Sequence, residues 1–134
     1  MQRCIVIADD DHIIIDLVKM RLTLAQYHVV ATHDAKTALE MVRTLKPLAA
    51  ILDVQMPGGG GLSAVAKIKA DPKISNVPVM MLTGERNAET VMLAMEGGAN
   101  DYMVKPFLPD VLLERVSRMM DKAAKPASAV TWEI

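Results

Sequence analysis

Short apolar runs alternate with stretches of helical period along the 134-residue chain. The unbroken apolar runs Cys4–Ala8 and Leu48–Leu52 are typical of parallel strands that are covered on both faces. Further strands are predicted at His28–Thr32, Val77–Leu82 and Asn100–Val104. Five such strands that alternate with helices indicate a single α/β domain with a doubly wound, five-stranded parallel sheet.

Helical periodicity fills the intervals between the predicted strands and follows the last one. The predicted helices are His12–Gln26, Ala35–Leu45, Leu62–Ala70, Ala88–Glu96 and Pro109–Lys122. Asp34 is a candidate N-cap for the second helix, because a side-chain oxygen there can accept from the free N–H groups of the first turn. The glycine-rich segment Gly58–Gly61 predicts either a mobile loop or a close approach by a partner.

Composition and charge exclude several classes of protein. The longest apolar runs have five residues, whereas a membrane helix needs roughly 20. Charges at Arg3 and Asp9–Asp11 do not fit a secretory signal peptide, and the single cysteine, Cys4, cannot form an internal disulfide. The formal net charge of -1 gives no general attraction to nucleic acid. We therefore expect a cytoplasmic protein with no membrane partner.

Chemically active side chains stand at the carboxyl ends of four predicted strands. Asp9 and Asp10 follow the first strand, Asp53 the third, Thr83 the fourth and Lys105 the fifth. Ligands of an open parallel sheet bind beyond these strand ends, so we expect the five side chains to converge. Clustered carboxylates repel one another and favour a hard cation such as Mg²⁺. With a cation, a hydroxyl and an ammonium nearby, the pattern predicts phosphoryl transfer onto a carboxylate.

Four segments at these strand ends make the chain resemble the receiver domains of bacterial response regulators, in particular the stand-alone chemotaxis-type (CheY-like) proteins. The segments are Ile5–Asp11, Leu52–Pro57, Met81–Gly84 and Asp101–Phe107. The resemblance implies a flavodoxin-like (βα)5 fold with strand order 2-1-3-4-5. It also implies a receiver domain over residues 1–122, a short tail over 123–134 and no output domain.

The resemblance assigns a role to each residue of the predicted site. Asp53 would be the phosphoacceptor for a histidine kinase or a histidine phosphotransferase. Asp10, Asp53 and the backbone carbonyl of Gln55 would ligate Mg²⁺ or Mn²⁺, and Asp9 would assist through water. Lys105 would pair first with the acceptor carboxylate and then with its phosphoryl oxygens.

The same resemblance implies a conformational switch. Thr83 would hydrogen-bond the phosphoryl group and Tyr102 would move inward behind it, so that the surface of the fourth helix, fifth strand and fifth helix changes its partner preference. Gln55 and Glu85 would tune the lifetime of the phosphorylated state. The Lys105–Pro106 peptide bond is expected to be cis.

The first helix has more apolar residues than one buried stripe requires. One interpretation is a deeply buried helix. The other is that Ile13, Ile14 and Leu17 form a docking patch for the helical bundle of the phosphodonor, as the resemblance suggests. The sequence leaves both interpretations open.

The histidines and the cysteine receive no role in this scheme. His12, His28 and His33 lack the spacing of metal ligands and are predicted to be surface or packing residues. Cys4 lies within a predicted buried strand and is expected to be an inert core side chain.

Two other functions compete with phosphoryl-dependent signalling. A pseudo-receiver would bind a partner without being phosphorylated. A Mg²⁺-dependent aspartyl phosphatase of the haloacid dehalogenase type would need a second Asp two residues after the nucleophile, where this chain has Gln55. We expect a non-enzyme that catalyses only its own phosphorylation and slow autodephosphorylation. It would act on an unknown downstream protein without nucleic acid, as a monomer or a phosphorylation-dependent dimer.

Overall fold

The computed structural model describes residues 3–84 and 88–124 and contains one parallel sheet flanked by helices. The strands are β1 (Cys4–Ala8), β2 (His28–Thr32), β3 (Ala49–Asp53), β4 (Val79–Thr83) and β5 (Asp101–Val104). The helices are α1 (His12–Leu24), α2 (Ala35–Leu45), α3 (Gly60–Ala70), α4 (Ala88–Glu96) and α5 (Pro109–Ala124). The order β2-β1-β3-β4-β5, with every pairing parallel, confirms the predicted fold.

Alternating residues of each central strand enter two separate hydrophobic cores. On β1, Val6 and Ala8 pack in the core beneath α2, α3 and α4, whereas Ile5 and Ile7 pack in the core beneath α1 and α5. All five residues of β1 are buried. Burial on both faces explains why this strand is a continuous apolar run rather than an alternating one.

Strands β3 and β4 are shifted towards the site relative to the predictions. β3 was predicted to begin at Leu48, but that side chain is 45% exposed and the strand begins one residue later. β4 was predicted to begin at Val77, but Pro78 has no N–H group to donate to the ladder, and the strand begins after it. Asp53 and Thr83 are therefore the last residues of their strands, where the sheet fixes their backbone.

Gly61, the last glycine of the segment Gly58–Gly61, has a cause within the fold, whereas the mobile loop or partner contact stays a prediction. α3 begins at Gly60, two residues earlier than predicted, and its first turn lies against the end of β3. A Cβ atom on Gly61 would come within 2.0 Å of the Asp53 carbonyl oxygen and 2.9 Å of the Met81 side chain. Gly61 is needed because the backbone of β3 occupies that space.

Candidate functional site

The strand register brings the predicted carboxylates together. β1 and β3 pair Ala8 with Leu52, so that Asp9 and Asp53 come side by side at the carboxyl edge of the sheet. Asp9 and Asp53 are buried, whereas Asp10 is exposed. One carboxylate oxygen from each of the three lies within 4.8 Å of the other two.

Lys105 places its ammonium between the two buried carboxylates. Its Nζ atom is 2.7 Å from Asp9 Oδ2 and 3.3 Å from Asp53 Oδ2. Asp9 Oδ2 is fully buried and, among the described residues, accepts no hydrogen bond of good geometry, so its contact with Lys105 is mainly one of charge. The backbone N–H of Lys105 donates to the Thr83 carbonyl at 2.8 Å, and the peptide bond to Pro106 is cis, as the resemblance implied.

Negative charge exceeds positive charge in this site. Burial and the neighbouring charge of Asp9 raise the pKa of Asp53 to about 6, against the opposing effect of Lys105. Burial acts to lower the pKa of Lys105, but its close contact with Asp9 and the charges of Asp53 and Asp9 together raise it. Excess negative charge on oxygen ligands fits a hard divalent cation, so the residues present can hold one.

Backbone groups orient the carboxylates and separate Asp11 from them. The N–H of Asp11 donates to Asp9 Oδ1 at 2.9 Å, and the N–H of Gln55 donates to Asp53 Oδ1 at 3.3 Å. Asp11 itself caps α1, because its Oδ1 accepts from the N–H of Ile13 at 2.9 Å. Three consecutive aspartates therefore divide between the site and the helix cap.

The two residues of the implied switch lie on neighbouring strands. Thr83 is buried and pairs with Val104 across the β4–β5 ladder. Tyr102 is half-buried on β5, packs against the core beneath α2, α3 and α4, and has the Arg115 guanidinium 5.9 Å from its ring centroid. Glu85 lies outside the described residues, and Gln55 is exposed beside the acid site.

The exposure of α1 contradicts the interpretation of a deeply buried helix. Ile13 is 71% exposed and Leu17 is 40% exposed, whereas Ile14 is half-buried against the core beneath α1 and α5. Met20 and Leu24 continue the exposed stripe along the same face of the helix. The buried face consists of Ile15, Val18 and Leu22.

Sequence reasoning missed a contact between two histidines at the rim of the site. His12 and His33 are exposed, as predicted, but their ring centroids are 4.7 Å apart. They are distant in sequence, and spacing along the chain could not reveal the pair. The predicted strand order contained the signal, because the loops after two adjacent parallel strands, β1 and β2, meet at one edge.

Comparison with known proteins settles the family. A family model described as the response regulator receiver domain matches residues 5–117. The chain belongs to the response regulator receiver domain family. This receiver domain contains no helix, among those the structure describes, that is long and apolar enough to cross a membrane.

The amino-acid sequence of the receiver domain is similar to parts of longer regulators. It is 34% identical over 125 residues to the transcriptional regulatory protein KdpE of Staphylococcus aureus, covering 93% of this chain and 52% of that protein. It is 33% identical over 132 residues to the DNA-binding response regulator MtrA of Mycolicibacterium smegmatis, covering 98% of this chain and 57% of that protein. The receiver domain thus spans little more than half the length of these relatives.

Solved structures support the same fold. The receiver domain matches a CheY-like response regulator receiver protein from Methanospirillum hungatei with a TM-score of 0.85 at 26% sequence identity. The match covers 92% of this chain and 97% of that one. The five-stranded, five-helix architecture is therefore the one that solved receiver domains have.

Proposed function

We propose that this receiver domain accepts a phosphoryl group on Asp53 from a phosphohistidine of a histidine kinase or a histidine phosphotransferase. The supporting observation is the buried Asp53 carboxylate, which stands 3.3 Å from the Lys105 ammonium within a cluster of three carboxylates. In the transfer, a carboxylate oxygen of Asp53 attacks phosphorus, the bond from phosphorus to the imidazole nitrogen breaks, and the imidazole leaves. The product is an acyl phosphate on Asp53.

Neighbouring groups prepare Asp53 for this attack. Asp10 and Asp53, with the backbone carbonyl of Gln55, would hold Mg²⁺ or Mn²⁺, and Asp9 would assist through water. A bound divalent ion would neutralise part of the charge on the phosphoryl oxygens. Lys105 already contacts Asp53, so its ammonium can pair with the phosphoryl oxygens once the phosphoryl group is bound to Asp53.

Phosphorylation of Asp53 would change the conformation of residues on β4 and β5. The Thr83 hydroxyl would donate to a phosphoryl oxygen, and Tyr102 on the next strand would move inward behind it. The surface of α4, β5 and α5 would then prefer a different downstream protein. Gln55 and Glu85 would tune the lifetime of the acyl phosphate, and the protein would catalyse only its own phosphorylation and slow dephosphorylation.

We also propose that the protein acts in the cytoplasm. It would signal through contact with another protein and would not bind nucleic acid. The relatives named as transcriptional or DNA-binding regulators are longer proteins, and within a protein of that kind this receiver domain would control another domain. Monomer and phosphorylation-dependent dimer both agree with the proposed switch surface.

Phosphotransfer from purified histidine kinases tests the proposal. We expect at least one kinase to label the wild type in the presence of Mg²⁺, and we expect no label on Asp53→Asn or after chelation of the metal. Labelling of Asp53→Asn to the wild-type extent would contradict the assignment of the acceptor. A folded wild type that no donor labels, acetyl phosphate included, would favour the pseudo-receiver.

Docking of the phosphodonor is proposed to use Ile13, Ile14 and Leu17, since they lie in the first two turns of α1, the helix that directly follows Asp9–Asp11. Substitution Leu17→Glu should slow transfer from the cognate donor by about tenfold or more, because it places a charge in an apolar contact. Leu45→Glu is a matched control, since Leu45 at the end of α2 is 41% exposed and Leu17 is 40% exposed. Equal transfer rates for the two variants would reject the docking patch.

A further inference from the structure

Two imidazole rings stand beside the acid site without a role in the proposed phosphoryl transfer. His12 belongs to the first turn of α1, and His33 follows β2. Their ring centroids are 4.7 Å apart and their planes are inclined by 49°. Both residues are exposed, so an ion from solvent can reach them.

A backbone contact sets the tautomer of His33. Its Nδ1 atom is 3.2 Å from the carbonyl oxygen of Asp9. A carbonyl oxygen can only accept a hydrogen bond, so in the neutral imidazole Nδ1 carries the hydrogen and donates it, which leaves the lone pair on Nε2. Histidines that bind metals are commonly oriented in this way, with the second ring nitrogen bonded to a backbone carbonyl or a carboxylate.

The electrostatic surroundings favour a cation at this position. Asp9, Asp10 and Asp53 together carry more negative charge than Lys105 can balance. Carboxylates suit a hard ion such as Mg²⁺, whereas imidazoles suit borderline ions such as Zn²⁺, Ni²⁺ and Cu²⁺. The rim and the acid site are therefore suited to different metals.

We propose that His12 and His33 form a second cation site, for a borderline transition-metal ion such as Zn²⁺, at the rim of the acid site. Each imidazole supplies one nitrogen, and rotation of the exposed His12 side chain brings its nitrogen towards His33 Nε2. Within residues 3–84 and 88–124, no third metal-binding side chain joins the pair, so water completes the coordination sphere. The Asp9 carbonyl that holds His33 belongs to the acid site, which links the two sites directly.

A zinc titration with three histidine variants tests this site. Zn²⁺ is added to the protein first without and then with saturating Mg²⁺, and binding is followed by calorimetry and by NMR of the imidazole nitrogens. We expect His12→Gln and His33→Gln each to weaken Zn²⁺ binding by about tenfold or more. His28→Gln is the control, because His28 is also exposed but lies at the start of β2, at the other end of that strand. Unchanged affinity in His12→Gln and His33→Gln, or an equal loss in His28→Gln, would overturn the proposal.

Asp53→Asn shows whether zinc enters the acid site instead. Retention of Zn²⁺ binding by this variant, with the same shifts of the His12 and His33 resonances, supports the rim site. Loss of Zn²⁺ binding in Asp53→Asn, together with retention in both histidine variants, would overturn it. Neither result depends on phosphorylation, so the proposed function can fail while this site stands.

Discussion

Two clusters of charged side chains in this receiver domain differ in burial and in charge balance. In the acid site, two buried carboxylates, Asp9 and Asp53, face the single ammonium of Lys105. On the flank of β5 and α5, one carboxylate faces one guanidinium: Arg115 donates to Asp101 from Nη2 at 2.5 Å and from Nε at 3.1 Å. The first cluster is buried and unbalanced, whereas the second is balanced and partly exposed. The acid site therefore has unbalanced negative charge that could attract a cation, whereas the charges of the flank balance each other.

The two clusters should differ most in stability when each loses its positively charged side chain. Lys105→Met leaves Asp9 and Asp53 buried without a counter-charge, which should lower the free energy of unfolding by about 3 kcal/mol at pH 8 in chelator. Arg115→Met breaks a pair whose side chains are 34% and 25% exposed, and should cost about 1 kcal/mol or less. Urea unfolding of both variants measures the difference. Equal losses of stability would mean that the counter-charge in the acid site matters no more for folding than that of an ordinary surface ion pair.

Backbone packing differs between two glycines at the carboxyl edge of the sheet. A methyl group on Gly61 would collide with the backbone of Asp53, whereas a Cβ on Gly84, after β4, would meet no atom of the described residues within 4 Å. Gly61→Ala should therefore lower the free energy of unfolding by about 2 kcal/mol or more, and Gly84→Ala should change it by about 1 kcal/mol or less. Thermal unfolding of the two variants provides the measurement. A tolerated Gly61→Ala would show that α3 does not press on the end of β3.

The raised pKa of Asp53 predicts that replacing this carboxylate by a neutral side chain increases stability, and that the increase depends on pH. Because this pKa is about 6 in the folded protein, above the ordinary value of 3.8, ionisation of Asp53 destabilises the fold as pH rises between these values. Asp53→Asn should therefore be more stable than the wild type by about 1–3 kcal/mol at pH 8 in chelator, and the gain should disappear near pH 4. Asp101→Asn should show no such gain, since it removes half of a balanced pair.

Urea unfolding between pH 4 and pH 8 provides this test. A gain for Asp53→Asn that does not depend on pH would point to packing rather than charge. A loss of stability in Asp53→Asn at pH 8 would contradict the proposed excess of negative charge.

Most of the fold was predictable because burial on both faces leaves a strong mark on parallel strands. Continuous apolar runs located β1 and most of β3, and Asp34 marked the start of α2, where its side chain accepts from the N–H of Thr37. The strand ends were less predictable. Leu48 is apolar yet exposed, and Pro78 is apolar yet cannot join the ladder on its N–H side.

The site was predictable as a set of residues but not as an electrostatic arrangement. The rule that ligands bind at the carboxyl ends of parallel strands brought Asp9, Asp53 and Lys105 together. The raised pKa of Asp53 depends on how deeply its strand is buried and on the register that sets Asp9 beside it. The contacts of Gly61 with Asp53 and of His12 with His33 are packing results that residue types alone do not show.

The most direct test of the account is to locate the phosphoryl group after treatment with acetyl phosphate and Mg²⁺. Intact mass spectrometry followed by peptide mapping should find one phosphoryl group, on Asp53, that disappears when the metal is chelated. Asp53→Asn, shown by NMR to be folded, should acquire none. A phosphoryl group on another residue, or none on a folded wild type, would contradict the account.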